Sequence, residues 1–132
     1  MEKRFDMTIV GGGPGGYVAA IRGAQLGLDV ALVEREDVGG VCLNWGCIPT
    51  KTLLRSASVL DAAKRASDFG LVIEGARPDI EGLRKRKDDV VRRLRGGVEK
   101  ILEKRGVHVV RGEATVAEPG VVSVATGEGP ST

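Results

Sequence analysis

Residues 5–16 read Phe5-Asp6-Met7-Thr8-Ile9-Val10-Gly11-Gly12-Gly13-Pro14-Gly15-Gly16, an apolar run stopped abruptly by glycine. Such a run, without strict polar alternation, predicts a buried parallel strand. From Pro14 onward apolar residues recur at spacings of three and four, at Tyr17, Ala20, Ile21, Ala24 and Leu28, and Gly27 supplies a helix stop. Leu28–Glu34 predicts a second buried strand. Strand, tight turn, helix and strand together fit ~30 residues, the size of one βαβ unit.

Gly11, Gly13 and Gly16 fit the pattern G-x-G-x-x-G between that strand and that helix. The first glycine makes the tight turn and the second lets backbone approach a pyrophosphate. The third lets helix and strand pack closely, and the helix N-terminus offers amide donors and positive dipole to the phosphates. Pro14 suits the first helical position, where its missing N–H is not needed. Glu34 closes the second strand 18 residues beyond Gly16, where a carboxylate can accept hydrogen bonds from a ribose. The expectation is an adenine dinucleotide site; the competing reading is a structural glycine turn with an incidental glutamate. An acidic residue here argues against a 2′-phosphate but does not separate NAD from FAD.

The remaining composition bounds the function class. The 132 residues include 20 glycines, two cysteines and only four aromatic residues, with a formal charge of +2. Glycine without a three-residue period excludes collagen, and two cysteines exclude an ordinary disulfide scaffold. No apolar run approaches the roughly 20 residues of a membrane span, and no apolar stretch follows the basic start, so a cytoplasmic location without a secretory signal is expected. The near-neutral charge gives no argument for nucleic acid or membrane as partner.

Downstream, a second helix is expected through Leu53, Leu54, Ala57, Val59, Leu60 and Ala63, ending near Phe69-Gly70. Arg77-Pro78-Asp79 breaks the pattern, and a long helix follows from about Asp79 to Arg105, stopped by Gly106. Val107–Val110, Ala114–Ala117 and Val121–Ala125 read as strands, the last two separated by the turn signal Glu118-Pro119-Gly120. Gly127–Thr132 reads as a further turn signal with no strand after it. The fold class is therefore α/β, a Rossmann-like βαβ unit with parallel sheet, long helices and the start of a β-meander. Seven basic residues between Leu83 and Arg95 are interrupted by Asp88 and Asp89; without an aromatic platform they read as a solvated helix face. His108 alternates within a valine strand and reads as an ordinary strand residue.

Cys42 and Cys47 lie five positions apart. Zinc is poorly served by two cysteines and one distant histidine, and a thioredoxin-type site needs two intervening residues instead of four. Inert buried thiols and a redox pair both remain open at this point. In a regular helix, residues five apart have Cα atoms about 8.6 Å from each other, beyond the ~7 Å limit for a disulfide. A bond between them therefore requires a distorted helix start, which Asn44-Trp45-Gly46 and Pro49 would permit. A helix N-terminus favours thiolate, and a strained or exposed disulfide is easily reduced.

The string Gly39–Lys51, GGVCLNWGCIPTK, resembles the redox-active disulfide segment of the FAD-dependent pyridine nucleotide–disulfide oxidoreductases. Its Leu43-Asn44 and Ile48-Pro49 pairs resemble the dihydrolipoamide dehydrogenases most; glutathione and mercuric reductases more often carry valine at Leu43 and Ile48. The similarity continues through Lys51–Ser56, the long basic helix and Val107–Val124. It implies FAD contacts at Gly11, Gly13, Pro14, Gly15, Gly16, Glu34, Arg35, Gly40, Val41, Cys42, Cys47, Lys51 and Ala114. It further implies Cys42 as the interchange thiol, Cys47 as the charge-transfer thiol against the flavin, and Lys51 as a cation near the flavin ring. Electrons would pass from dihydrolipoyl groups to the Cys42–Cys47 disulfide, then to FAD, then as hydride to NAD⁺.

The resemblance also implies a homodimer serving lipoyl-bearing 2-oxoacid dehydrogenase or glycine cleavage components. Family members carry the rest of the FAD domain, an NAD-binding domain and a dimerisation domain, so residues 1–132 are expected to be an incomplete N-terminal segment that cannot turn over alone. The alternatives are a glutathione- or mercuric-type reductase of the same family and a non-catalytic dinucleotide-binding module with inert thiols.

Overall fold

A computed structural model describes residues 2–126 and 129–131. The first strand, β1 (Met7–Val10), leads through the glycine loop into α1 (Pro14–Gln25) and then β2 (Val30–Glu34). A short helix α2 (Gly40–Asn44) is followed by α3 (Cys47–Lys64), a 3₁₀ turn (Ala66–Phe69) and the 25-residue α4 (Ile80–Lys104). β3 (His108–Arg111) returns to the first sheet, and β4 (Glu113–Glu118), β5 (Val121–Thr126) and β6 (Gly129–Ser131) form a second.

The first sheet has the order β1-β2-β3 and both pairings are parallel, with Val10 beside Val33 and Glu34 beside Arg111. The second is an antiparallel meander, β4-β5-β6, irregular between Val116 and Glu118. The α/β class, the βαβ unit and the meander all match the sequence reading.

Three assignments differ. β2 begins at Val30, two residues late, because the Leu28 N–H is spent on the Gly23 carbonyl and the Asp29 N–H on the Asp6 carboxylate. The second helix stops at Lys64, and its continuation to Phe69 is 3₁₀, closed by Gly70 at φ +71°. Gly127–Thr132 reads as a turn signal, but residues 129–131 form a strand paired with β5, Ser131 opposite Val124. Pro130 is tolerated there because an edge strand leaves one row of N–H positions unused. The turn predicted at Gly127-Glu128 falls outside the described residues.

β1 also departs from the fully buried strand expected of it. Its residues alternate half-buried and exposed, whereas Val30, Ala31, Leu32 and Val33 of β2 are all at most 3% exposed. Position explains this: β2 is the central strand, while β1 has a neighbour on one side only. The core gathers Ala20 of α1, Val30 and Leu32 of β2, Val38, Leu102 of α4 and Val107, with Met7, Ile9, Tyr17 and Val98 packed against it. Fully burying a side chain such as Leu32 or Leu102 is worth ~1.5–3 kcal/mol each.

α4 is set by its N-cap, where the Asp79 carboxylate accepts from the Glu81 N–H at 3.1 Å. Its interrupting acids do what the sequence suggested for a solvated face: Asp89 pairs with Arg92 at 3.1 Å and Asp88 with Lys87.

Candidate active site at the carboxyl end of the parallel sheet

All three strands of the parallel sheet point their carboxyl ends the same way, and the glycine loop, Glu34 and Arg111 meet there. Gly11 takes φ +93°, the left-handed turn that lifts the chain from strand to helix. A Cβ on Gly16 would lie 1.8 Å from the Gly11 carbonyl oxygen, so only glycine lets α1 start so close to β1. The α1 N-terminus has Pro14 at its first position, no side-chain cap and no acidic residue in its first turn. The amide N–H groups of Gly15 and Gly16 have no intrahelical acceptor at that position, which leaves them and the positive dipole end to an anion.

Glu34 holds the loop in place. One carboxylate oxygen accepts from the Gly12 N–H at 2.7 Å and the other from the Glu36 N–H at 2.9 Å. Two oxygens offer about four acceptor sites, so capacity for hydroxyl donors is left after both bonds. Gly39 N–H donates to the Gly12 carbonyl at 2.7 Å, and a Cβ on Gly40 would lie 2.8 Å from the Gly13 Cα. The segment leading to the cysteines therefore lies directly on the glycine loop.

These elements enclose a cavity of about 360 Å³. Six of the sequence-selected residues line it: Gly11, Glu34, Arg35, Gly40, Val41 and Ala114. Gly13, Pro14, Gly15 and Gly16 stand beside it at the start of α1. Cys42, Cys47 and Lys51 are not on its wall; Cys42 lies within the same short helix as Gly40 and Val41, and the other two lie in the first turns of α3. The set fits an adenine dinucleotide: a glycine cradle, an uncapped helix N-terminus and a carboxylate at the strand end.

A disulfide joins Cys42 and Cys47, with their Cα atoms 4.6 Å apart. The helix distortion required by the spacing is present: α2 stops at Asn44, Trp45 takes φ −132° and Gly46 takes φ −116°, ψ −103°, before α3 starts at Cys47. Cys42 is half-buried and Cys47 exposed. Lys51 follows Cys47 by four residues on α3 and is exposed on the same face. His108 is at the opposite end of the sheet, beside Ala31, with its ring 5.2 Å from Phe5 and Nε2 3.6 Å from Asp29, as an ordinary strand residue.

Three structural features went unread in the sequence. The Asn44 amide nitrogen lies 3.0–3.2 Å from the carbonyl oxygens of Asp37, Val38 and Gly40, tying down the loop between β2 and α2. The Asp37 carboxylate pairs with Arg95 of α4 and, at 3.2 Å, with Arg111 of β3. Trp45 lines the cavity wall. Asn44 and Trp45 could have been flagged because they sit between the cysteines. Asp37 had no signal, since its partners are 58 and 74 residues away.

A scan of known families matches residues 5–130 to the pyridine nucleotide-disulphide oxidoreductases. The chain belongs to that family. A dihydrolipoyl dehydrogenase of Rhizobium etli is 53% identical over 125 residues, 94% of this chain and 26% of the relative. One from Acholeplasma laidlawii is 54% identical over 113 residues, 85% of the chain and 34% of the relative. One from Zymomonas mobilis is 48% identical over 129 residues, 98% of the chain and 28% of the relative. The chain thus spans about a quarter to a third of the length of the curated relatives it matches. Among the described residues no helix is long and apolar enough to cross a membrane.

Proposed function

We propose that this chain is the N-terminal segment of the FAD-binding domain of a dihydrolipoyl dehydrogenase, a cytoplasmic homodimer acting on lipoyl-bearing 2-oxoacid dehydrogenase or glycine cleavage components. The observation that carries the proposal is the Cys42–Cys47 disulfide on a segment that packs, through Gly40, on the glycine loop beside a cavity lined by Glu34 and Ala114. The names of the relatives favour the dihydrolipoyl substrate over glutathione or mercuric ion.

The residues divide the work. Gly11, Gly13, Gly15 and Gly16 would bind the pyrophosphate, and Glu34 the adenosine ribose, with Arg35, Gly40, Val41 and Ala114 around the adenosine. FAD, when bound, supplies a two-electron acceptor next to the disulfide. A substrate thiolate attacks the Cys42 sulfur and forms a mixed disulfide while Cys47 leaves as thiolate. The second substrate thiol then displaces Cys42, so the dithiol becomes a cyclic disulfide and the cysteine pair holds the two electrons. Lys51 places a cation where negative charge develops beside Cys47. The NAD⁺ that takes up the hydride would bind in a part of the protein beyond these residues.

Thiol titration of the full-length native protein before and after NADH tests this reading. Two additional reactive thiols should appear in a yellow protein; an unchanged count would exclude a redox role for Cys42 and Cys47. Parallel steady-state assays with dihydrolipoamide and with glutathione disulfide decide the substrate.

A further inference from the structure

Trp45 is 55% exposed and lies on the cavity wall, sharing it with Val10 and Val41, which are 53% and 70% exposed. A single exposed aromatic side chain needs no explanation. Three exposed apolar side chains on one cavity do, because they stand among the charged Glu34, Arg35, Glu36 and Glu113. An apolar wall with a few placed polar groups is the usual lining of a small-ligand site, and a flat ring beside sugar and phosphate is what a nucleoside offers such a wall.

The backbone that carries the indole is also held in advance. Trp45 lies inside the covalent loop closed by the Cys42–Cys47 disulfide, and its backbone N–H donates to the Val41 carbonyl at 2.9 Å. The preceding residue, Asn44, is only 8% exposed and fixed to three carbonyl groups. Little backbone freedom is left to lose when a ligand arrives, and that is one way preorganised contacts gain affinity.

From this we infer that Trp45 is a cofactor-contact residue: its indole packs against the adenosine half of the bound dinucleotide, and so ties the disulfide segment to the cofactor. The inference rests on the FAD reading above and adds a residue to it. The adenosine half is the part concerned because Glu34 and Ala114 line the same cavity. The contact is neutral in charge, so it acts through apolar area and ring stacking.

The test uses the full-length protein with its flavin removed, and adenosine 5′-diphosphate as a probe that cannot quench by energy transfer to flavin. The emission of Trp45 is obtained as wild type minus Trp45→Phe. Saturating probe should lower the acrylamide quenching constant of that emission at least twofold. Trp45→Ala should weaken FAD binding about tenfold, the order of one lost aromatic contact, with Trp45→Phe recovering most of it. Probe binding to the wild type, seen by calorimetry, with an unchanged quenching constant would overturn the Trp45 contact and leave the FAD reading standing. A wild-type protein that binds neither FAD nor probe would overturn both. The quenching arm needs only wild type and Trp45→Phe, so misfolding of Trp45→Ala does not decide the result.

Discussion

Gly16 carries a steric demand that no neighbouring side chain can relieve, because the atom a Cβ would meet is the Gly11 backbone carbonyl. Gly16→Ala should therefore push α1 off the loop, costing about 1–3 kcal/mol and most of the bound flavin. Thermal unfolding and the flavin-to-protein absorbance ratio of the full-length protein check this together. The cysteines make the opposite prediction. Cys42→Ser and Cys47→Ser remove the disulfide, an expected loss of about 2 kcal/mol from a short closed loop, but leave the cavity wall intact. Each variant should retain flavin while losing dihydrolipoamide turnover, measurable as absorbance near the flavin bands beside a null rate. Flavin loss in both would mean that the disulfide serves the fold instead of the chemistry. Both residue types were legible in the sequence, because glycine in a strand–helix turn and cysteines five apart carry their constraint in local spacing.

Among the elements, the loop between β2 and α2 decides whether the disulfide meets the glycine loop. It has no regular structure, and it is fixed by Asn44 from one side and by the Arg95 and Arg111 pairs to Asp37 from the other. Asn44→Ala would leave three carbonyl groups without their side-chain donor, and a loss of about 1–3 kcal/mol is expected, read by chemical denaturation. Asp37→Ala should cost less, about 1–2 kcal/mol. Arg95 is left without its partner at 29% side-chain exposure, while the more exposed Arg111 contributes little. The same change should speed flavin dissociation, and added salt should do so in the wild type but less in the variant. A wild-type rate insensitive to salt would remove Asp37 from this role. The ion pairs were not visible in sequence periodicity, since Asp37 meets Arg95 of α4 and Arg111 of β3 only once those elements are packed together. Residues 129–131 were misread for a related reason: Gly129 and Pro130 are turn residues by propensity, and pairing with β5 makes them a strand.

At the scale of the whole molecule, protection is uneven. β2 is buried along most of its length, while β4 has no fully buried residue and β5 none either. Amide hydrogen exchange on the 132-residue chain should find the slowest amides in Val30–Val33 and fast exchange through β4 and β5. Equal protection across both sheets would contradict the layering described above. The parallel strands also explain the placement of chemistry. Because β1, β2 and β3 run the same way, the glycine loop, Glu34 and Arg111 gather at one end and His108 is left at the other, which is the end where open α/β sheets bind ligands.

The sequence by itself determined the βαβ unit, the glycine loop, the acidic strand end and the need for a broken helix between the cysteines. Each of these follows from constraints between residues within one turn, one strand or one βαβ step: forbidden φ for side chains, apolar periodicity, and the reach of a disulfide. Tertiary structure decided the rest. It made β2 and not β1 the buried strand, drew Asp37 to arginines far along the chain, and set Trp45 on the cavity wall. Those outcomes depend on which strand is central and which helix crosses behind it, and burial and ion pairing are properties of that arrangement, not of any stretch of sequence.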